Sequence, residues 1–460
     1  MNLASSSINS QILRIIIASF AILYLCNYFL HIPALNYIGS ALLLYIMSQS
    51  ILRIPKVNRR VVSGLILLGA GLLFWSDASL LSWISAIMKN ANLVTLFICV
   101  PMMSMPFFYE DYQGELKAVA QTRMQNLLSF CVLVFFSTHV LGVLISIGAA
   151  VIIYELLLPN ARLYQAEDIF LMTLTRSYCS AGFWSPAWAS VLVVTSQLDI
   201  EWLYLIPIGL AGTLIYFLLD MASIAFKIKK DPSRYPRLKP EEGVQVHWKK
   251  VYTMLTLAGL LIAMIILASV VTPWNLMIII PLVSMIFPLL CAVFQKHLPA
   301  YREGMGRYYR HSLLKVQNEV TLFAAAGFLG KALELSGVGQ KLPGLIPDWL
   351  SHYPALLIAF IMGLMIIPSL IGVHPVVTGT ALVSAIVPAS IGLGTMTFAV
   401  TIIVGWLLTI VLSPFSATSL ITSGLTGKTS WSISLGMNGR FGLICVALFS
   451  LLISLASPLL

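Results

Sequence analysis

Apolar residues follow one another with almost no charge through six long runs, 12–29, 34–52, 61–76, 252–271, 275–294 and 434–459. A helix needs roughly 20 such residues to cross a hydrocarbon core of about 30 Å. Apolar and polar positions do not alternate within the runs, so they predict helices that satisfy their own backbone rather than the strands of a barrel. The first run carries Arg14 near its start and no small-residue cleavage site, which predicts a first membrane helix that is retained. The pattern as a whole predicts an all-α, polytopic transmembrane helical bundle.

Other apolar segments are interrupted. Within 169–194 the chain reads RSYCSAGFWSP from Arg176 to Pro186, and within 354–387 it reads PSLIGVHP from Pro368 to Pro375. Directly after 397–412, the stretch from Ser413 to Gly427 holds seven hydroxyl residues and a proline. Such breaks free backbone N–H and C=O groups that hydrocarbon cannot satisfy, so they are buried in protein or line a wet cavity. The first two predict a helical hairpin or a broken helix with its tip inside the membrane. The second arm then offers N–H donors and a partial positive charge to an anion. Hydroxyls at the third break can replace the hydration shell of a sodium ion or donate to a carboxylate. They can equally let helices pack closely. The candidate substrate-binding residues are Arg176, Ser180, Ser185, His374, Thr378, Ser413, Ser416, Thr418 and Ser419, with sodium near Ser185, Thr378 and Ser416 as the candidate metal site.

Composition removes the soluble classes. Of 460 residues 59% are hydrophobic and 10% charged, against about a quarter charged in an average soluble domain. The net charge of +10 is concentrated in three connections, Arg53 to Arg60, Lys227 to Lys250 and Gln295 to Lys315. That is the positive-inside pattern, which places these connections in the cytoplasm and accounts for the charge without nucleic acid as a partner. The last two bracket a helix pair joined at Thr272, Pro273 and Trp274, so both can face one side. Six cysteines lie in apolar segments without CxxC spacing and read as packing residues, not disulfides or zinc ligands.

Ionisable groups inside apolar spans are functional hypotheses by default. Arg176, beside the first break, is placed either to neutralise an acidic substrate or to sit at the membrane interface. Asp220 reads as a helix-end charge ahead of Lys227, and Glu319 as interfacial. Lys331 and Glu334, three apart on one helical face, read as a structural pair. His374 is either a proton carrier near neutral pH or a satisfied structural histidine.

The two halves resemble each other, as the halves of many transporters do. Residues 92–97 (NLVTLF) match 318–323 (NEVTLF) at five of six positions, 226 residues apart. Residues 184–193 (WSPAWASVLV) can be set beside 373–382 (VHPVVTGTAL), and 212–220 beside 405–413, at offsets of 189 and 193. These offsets require an insertion of roughly 35 to 40 residues in the first unit, which the apolar stretch 125–157 fits. The chain then divides into N-terminal scaffold helices (1–90), a first repeat unit (91–226), basic loops with a connecting helix pair (227–317) and a second repeat unit (318–460). One conflict follows. With the basic connections cytoplasmic, a single crossing by 125–157 brings both hairpins in from the same side, which inversion forbids. A double crossing leaves Lys227, Lys229 and Lys230 outside.

An apolar helix opening on Asn-x-Val-Thr-Leu-Phe, a broken hairpin and a helix interrupted by Ser, Thr and Pro resemble the ion transporter superfamily. That superfamily includes the divalent anion:sodium symporters and the membrane subunits of tripartite periplasmic transporters. The resemblance spans about residues 90–430 and is greatest from Asn318 to Gly337. It implies an elevator-type secondary transporter, usually dimeric, with an N-terminal scaffold and a transport part built from hairpins and broken helices. In the symporters each hairpin tip carries Ser-Asn-Thr, whose groups bind sodium and the substrate carboxylate. Here Trp184-Ser185-Pro186 and Val373-His374-Pro375 stand in those places without the asparagine, and a proton on His374 is the alternative coupling ion.

The expected function is secondary active transport of a small organic anion across the cytoplasmic (inner) membrane, driven by sodium or protons. No enzymatic step and no cofactor beyond the coupling ion are expected, and the expected setting is a homodimer in the lipid bilayer. A membrane subunit of a larger transport complex and an intramembrane enzyme acting on lipid-linked substrates are the alternatives. No HExxH, GxSxG or Walker A pattern supports the enzyme.

Overall fold

The computed structural model describes residues 3–110, 112–145, 148–338 and 346–459. These form helices and connections, with no strand among the described residues. The chain opens with α1 (Leu3–Leu30), α2 (Pro33–Ser50), α3 (Lys56–Trp75), α4 (Leu80–Met88) and α5 (Ala91–Cys99), the last continued by a tighter helix to Phe108. The polar α6 (Tyr112–Arg123) leads to α7 (Leu127–Ile145), α8 (Gly148–Leu163), α9 (Glu167–Ser180), α10 (Ala189–Gln197) and the long α11 (Trp202–Lys230). A connecting group follows, α12 (Trp248–Val271), α13 (Leu276–Phe294), α14 (Leu298–Arg307) and the single turn α15 (Leu313–Lys315). The last part holds α16 (Gln317–Ser336), α17 (Pro354–Ser369), α18 (Pro375–Ala385), α19 (Thr395–Leu412), α20 (Ala417–Thr426) and α21 (Met437–Ala456).

Eight stretches of the described residues are long and apolar enough to cross a membrane. Their outward faces stay apolar, with Leu67, Phe74, Phe226, Val270, Phe294 and Leu443 all exposed. Water would not tolerate so continuous an apolar exterior, whereas lipid does. The chain is a multi-pass, all-α membrane protein.

The stretch 125–157, expected to be an insertion, belongs to α7 and α8, which pack side by side so that the chain doubles back. The arms α17 and α18 also pack on each other, whereas α9 and α10 barely touch. The first interruption is therefore a broken helix, and the packed pair lies just before it. α19 and α20 form one apolar span of 32 residues interrupted after Leu412. The order is thus packed pair, broken helix, long helix in both halves. Measured from first residue to first residue, α7 precedes α17 by 227 and α9 precedes α19 by 228, close to the 226 between Asn92 and Asn318. An offset this constant needs no insertion. It pairs the break at Ser185 with that at Ser413, not with that at His374.

The same change removes the topological conflict. Each long or broken helix counts as one crossing and each packed pair as a return, and the three basic connections then fall on one side. Contacts between distant elements agree. On the basic side Arg14 donates to the Arg310 carbonyl and Lys428 pairs with Asp168, while on the other Phe29 meets Trp274 edge-on and Ser384 bonds Gln197.

On the basic side α6 is fastened to the start of α12 through Glu115. Its carboxylate accepts the His247 backbone N–H at 2.7 Å and lies 3.1 Å from His247 Nδ1 and 3.5 Å from Lys250 Nζ. Burial alone raises its pKa, but the His247 N–H, the His247 ring and Lys250 together hold the carboxyl below its ordinary 4.5. Because the folded value is the lower one, the fastening is complete at neutral pH and is lost as pH falls below 4.5. Hydrogen exchange at residues 247–250, corrected for intrinsic rates, should stay slow down to about pH 4.5 and accelerate below it. In Glu115→Gln it should be fast already at neutral pH. Identical profiles in the two proteins would show that the carboxylate holds nothing.

Candidate functional site

The turn between α17 and α18 is set by three residues. Gly372 has φ +100°, His374 is extended before a proline, and Pro375 takes the first helical position of α18, where its missing N–H costs nothing. A Cβ on Gly372 would lie 2.7 Å from Val57 Cγ1, so the turn presses against the start of α3. His374 caps α18 by accepting the Val376 N–H at Nδ1, 3.2 Å away. In α19 the chain leaves the helix at Ser413, extended before Pro414, and restarts at Ser416. There the serine hydroxyl accepts the Ser419 N–H at 3.2 Å, the N-cap bond that hydroxyl residues favour.

The two Ser-Pro breaks are tied down in the same way. Ser413 Oγ donates to the Ser369 carbonyl at 2.8 Å, at the end of α17, and accepts the Phe415 N–H at 3.2 Å. Ser185 Oγ donates to the Val143 carbonyl at 3.4 Å, near the end of α7, and accepts the Ala187 N–H at 3.4 Å. Each broken helix is thus fastened by its serine to the first arm of the packed pair that precedes it. The signal was present in the sequence as a second Ser-Pro, 228 residues after the first.

Six of the nine candidate residues lie at the turn that opens α18 or at the break after α19 and the start of α20. His374 and Thr378 belong to α18, and Ser413, Ser416, Thr418 and Ser419 to the break and the start of α20. The gap between these elements is small, because a Cβ on Gly372 would lie 3.7 Å from the Phe415 ring. Thr378 Oγ1 donates to the Pro375 carbonyl at 3.3 Å, and the Ser416 and Ser419 hydroxyls meet at 3.0 Å. Thr418 is buried, and its Oγ1 has no partner among the described residues. Its counterpart Ser190 donates to the Gly182 carbonyl at 2.9 Å. The start of α20 combines first-turn N–H groups, of which that of Ser419 is capped by Ser416, with a partial positive charge and a buried Thr418 hydroxyl that has no partner among the described residues.

No family model matches the chain, and no curated protein matches it. The fold is that of a solved transporter. The chain is similar to the YdaH transporter of Alcanivorax borkumensis, whose crystal structure revealed an unusual topology, with a TM-score of 0.60. The similarity covers 86% of this chain and 98% of that one at 14% identity, a likeness of fold.

The other three candidates lie at the first break, which is closed by its own side chains. Ser180 Oγ donates to the Ser177 carbonyl at 2.7 Å and lies 2.8 Å from His139 Nδ1, while His139 Nε2 accepts the Trp184 indole N–H at 3.3 Å. This pattern assigns the imidazole proton to Nδ1. Trp188 and Trp202 donate to the carbonyls of Gly142 and Trp184 at 3.0 and 2.8 Å. Sequence reasoning missed His139, the one histidine of 125–157. Ser185 lies at the first break, Thr378 on α18 and Ser416 at the cap of α20. Among the described residues no group of three His, Cys, Asp or Glu is placed to hold a metal.

Arg176, expected beside an acidic substrate or at the membrane interface, has a protein partner inside the bundle. Its Nη1 is 2.7 Å from Asp220 Oδ1, its Nε donates to Asn438 Oδ1 at 2.8 Å, and its guanidinium sits 3.9 Å from the centre of the Phe441 ring. Both charged side chains are almost wholly buried, 3% and 0% exposed. Asp220 is therefore the counter-charge of α9, not a helix-end charge. The two residues are 44 apart in sequence and on different helices, so only their shared rarity hinted at a pair.

Proposed function

We propose that the chain is a secondary active transporter that moves a small organic anion across the cytoplasmic membrane by alternating access, driven by sodium or protons. The observation that carries this reading is the repeated device at Ser185 and Ser413, a Ser-Pro break inside an apolar span fastened to a packed helix pair. Discontinuous helices of this kind present their termini to ions and anionic groups in transporters. The likeness in fold to a transporter supports the same reading, and the free Thr418 hydroxyl at the start of α20 favours an anion.

Two observations favour an inverted arrangement of the units. In the crossing count the pair α7–α8 returns to the basic side and the pair α17–α18 to the other. Phe97 and Phe323, equivalent residues of the two Asn-x-Val-Thr-Leu-Phe motifs, stack with ring centres 4.7 Å apart. Equivalent residues meet when a pseudo-twofold axis passes between them. On this reading 91–226 and 318–460 are the two units, 1–90 the scaffold and 227–317 the connection. The resemblance to the ion transporter superfamily adds elevator motion and a homodimer.

The test is flux in proteoliposomes against a panel of carboxylates and other organic anions, with sodium and pH gradients imposed separately. Concentrative flux of at least one anion under one gradient is expected. Absence of flux under both gradients rejects the reading in favour of a subunit of a larger complex. Ser416→Ala removes the α20 cap at a cost of about 1 kcal/mol, too little to unfold the protein. Both it and His374→Ala are expected to abolish flux with expression intact. Unchanged flux in both would remove the His374 turn and the Ser413 break from the site.

A further inference from the structure

We infer that the basic side of the protein carries a site for the phosphate headgroup of an anionic phospholipid, between the start of α1 and the helical turn that follows α14. An open pocket of 650 Å³ lies there, lined among others by Gln11, Arg14, Tyr309, Arg310 and His311. Two guanidiniums and an imidazole share this lining with no carboxylate. The chain has no acidic residue before Asp77, and among the described residues none of Arg14, Arg310 and His311 makes an ion pair. The neighbouring Arg307 differs, since it has Glu303 at 3.8 Å.

The two arginines are held in place by backbone carbonyls, which position them without cancelling their charge. Arg14 Nη2 donates to the Arg310 carbonyl at 3.0 Å, and Arg310 Nε donates to the Gly306 carbonyl at 3.1 Å. Gly306 makes room for this fold-back, because a Cβ there would lie 3.2 Å from Arg310 Nη2. Arg14 Nε is buried and has no partner among the described residues. The segment Tyr308–Ser312 is a wide π-helical turn, in which Tyr308 points inward to bond the Ile98 carbonyl at 2.6 Å while Tyr309, Arg310 and His311 stay exposed. Fixed guanidinium donors without a counter-charge suit a phosphate, which offers several acceptor oxygens and at least one negative charge.

The surroundings point to a lipid as the source of that phosphate. Ile12, Ile15 and Ile22 are 41%, 55% and 55% exposed and lie along one face of α1, leading from the pocket into the apolar span. A headgroup in the pocket would thus have its acyl chains on an apolar stripe. Basic pockets between membrane helices on the cytoplasmic side bind anionic headgroups for this reason.

The test uses the full chain purified in detergent, with phosphatidylglycerol, cardiolipin or phosphatidylcholine added, and inorganic phosphate as a separate arm. Lipid retention by native mass spectrometry and Tm are the readouts. The wild type should retain the anionic lipids and gain Tm with them, but not with phosphatidylcholine or inorganic phosphate. Retention should fall about 30-fold in the Arg14→Gln, Arg310→Gln double variant. Gln11→Glu, at an exposed position that leaves folding intact, supplies the missing carboxylate and should lower retention as well. Equal retention in Gln11→Glu and the wild type would overturn the proposal. A Tm rise with inorganic phosphate alone and no retained lipid would also overturn it, in favour of a free-phosphate site.

Discussion

Asp220→Ala is expected to cost about 3–5 kcal/mol and to leave little folded protein in mild detergent, because it strands a guanidinium in the interior. Arg176 would keep Asn438, the Met437 carbonyl at 3.3 Å, Ser223 at 3.0 Å and the face of Phe441, but none of these carries a negative charge. The pair joins α9 to α11, and Asn438 adds α21, so three elements loosen together. Replacing both partners by apolar residues, Arg176→Met with Asp220→Leu, should recover most of the loss, since a buried ion pair gains little over apolar packing. Thermal unfolding followed by size-exclusion chromatography measures both effects. Flux through the stable double variant then separates two roles. Retained flux fits a structural pair, whereas a stable but inactive protein would return Arg176 to the substrate. An Asp220→Ala protein as stable as the wild type would sink the pairing itself.

The second large effect is expected at Gly209 in α11. A Cβ there would lie 2.5 Å from the Phe183 carbonyl oxygen and 2.6 Å from Trp184 Cβ. Alanine normally gains about 1 kcal/mol over glycine inside a helix. Here the obstacle is backbone, and it is pinned, since the Trp202 indole holds the Trp184 carbonyl at 2.8 Å and the Trp184 indole is held by His139. Overpacking against a fixed backbone should win, for a net loss of about 2 kcal/mol. Gly259→Ala in α12 is the control. No atom lies within 4 Å of the added Cβ, and a gain of up to about 1 kcal/mol is expected. If the two substitutions shift Tm in the same direction, the close seating of α11 on the first break is wrong.

Much of the candidate site was legible because a break inside an apolar span has a local cause. Gly372, His374 and Pro375 bend the chain through their own backbone preferences, and so do Ser413 and Pro414. Lys331 and Glu334 also meet as read, at 2.5 Å, because helical spacing alone brings them together. The match of 92–97 to 318–323 is visible in the sequence, and His374-Pro375 is set beside Ser185-Pro186 there because the two look alike one residue at a time. The hydrogen bonds distinguish them. Ser185 and Ser413 share a donor and acceptor pattern that His374 lacks.

The sequence by itself determined that this protein is a helical bundle in a membrane and where its helices must break. In hydrocarbon each segment has to satisfy its own backbone, and that is a property of the segment alone. Only the tertiary structure decided that 125–157 folds back as α7 and α8, that Arg176 belongs to Asp220, and that Thr418 is left with a free hydroxyl where Ser190 is not. Apolar helices offer one another nearly equivalent surfaces, so their partners are chosen by shape and by a few buried polar contacts between residues far apart in the chain.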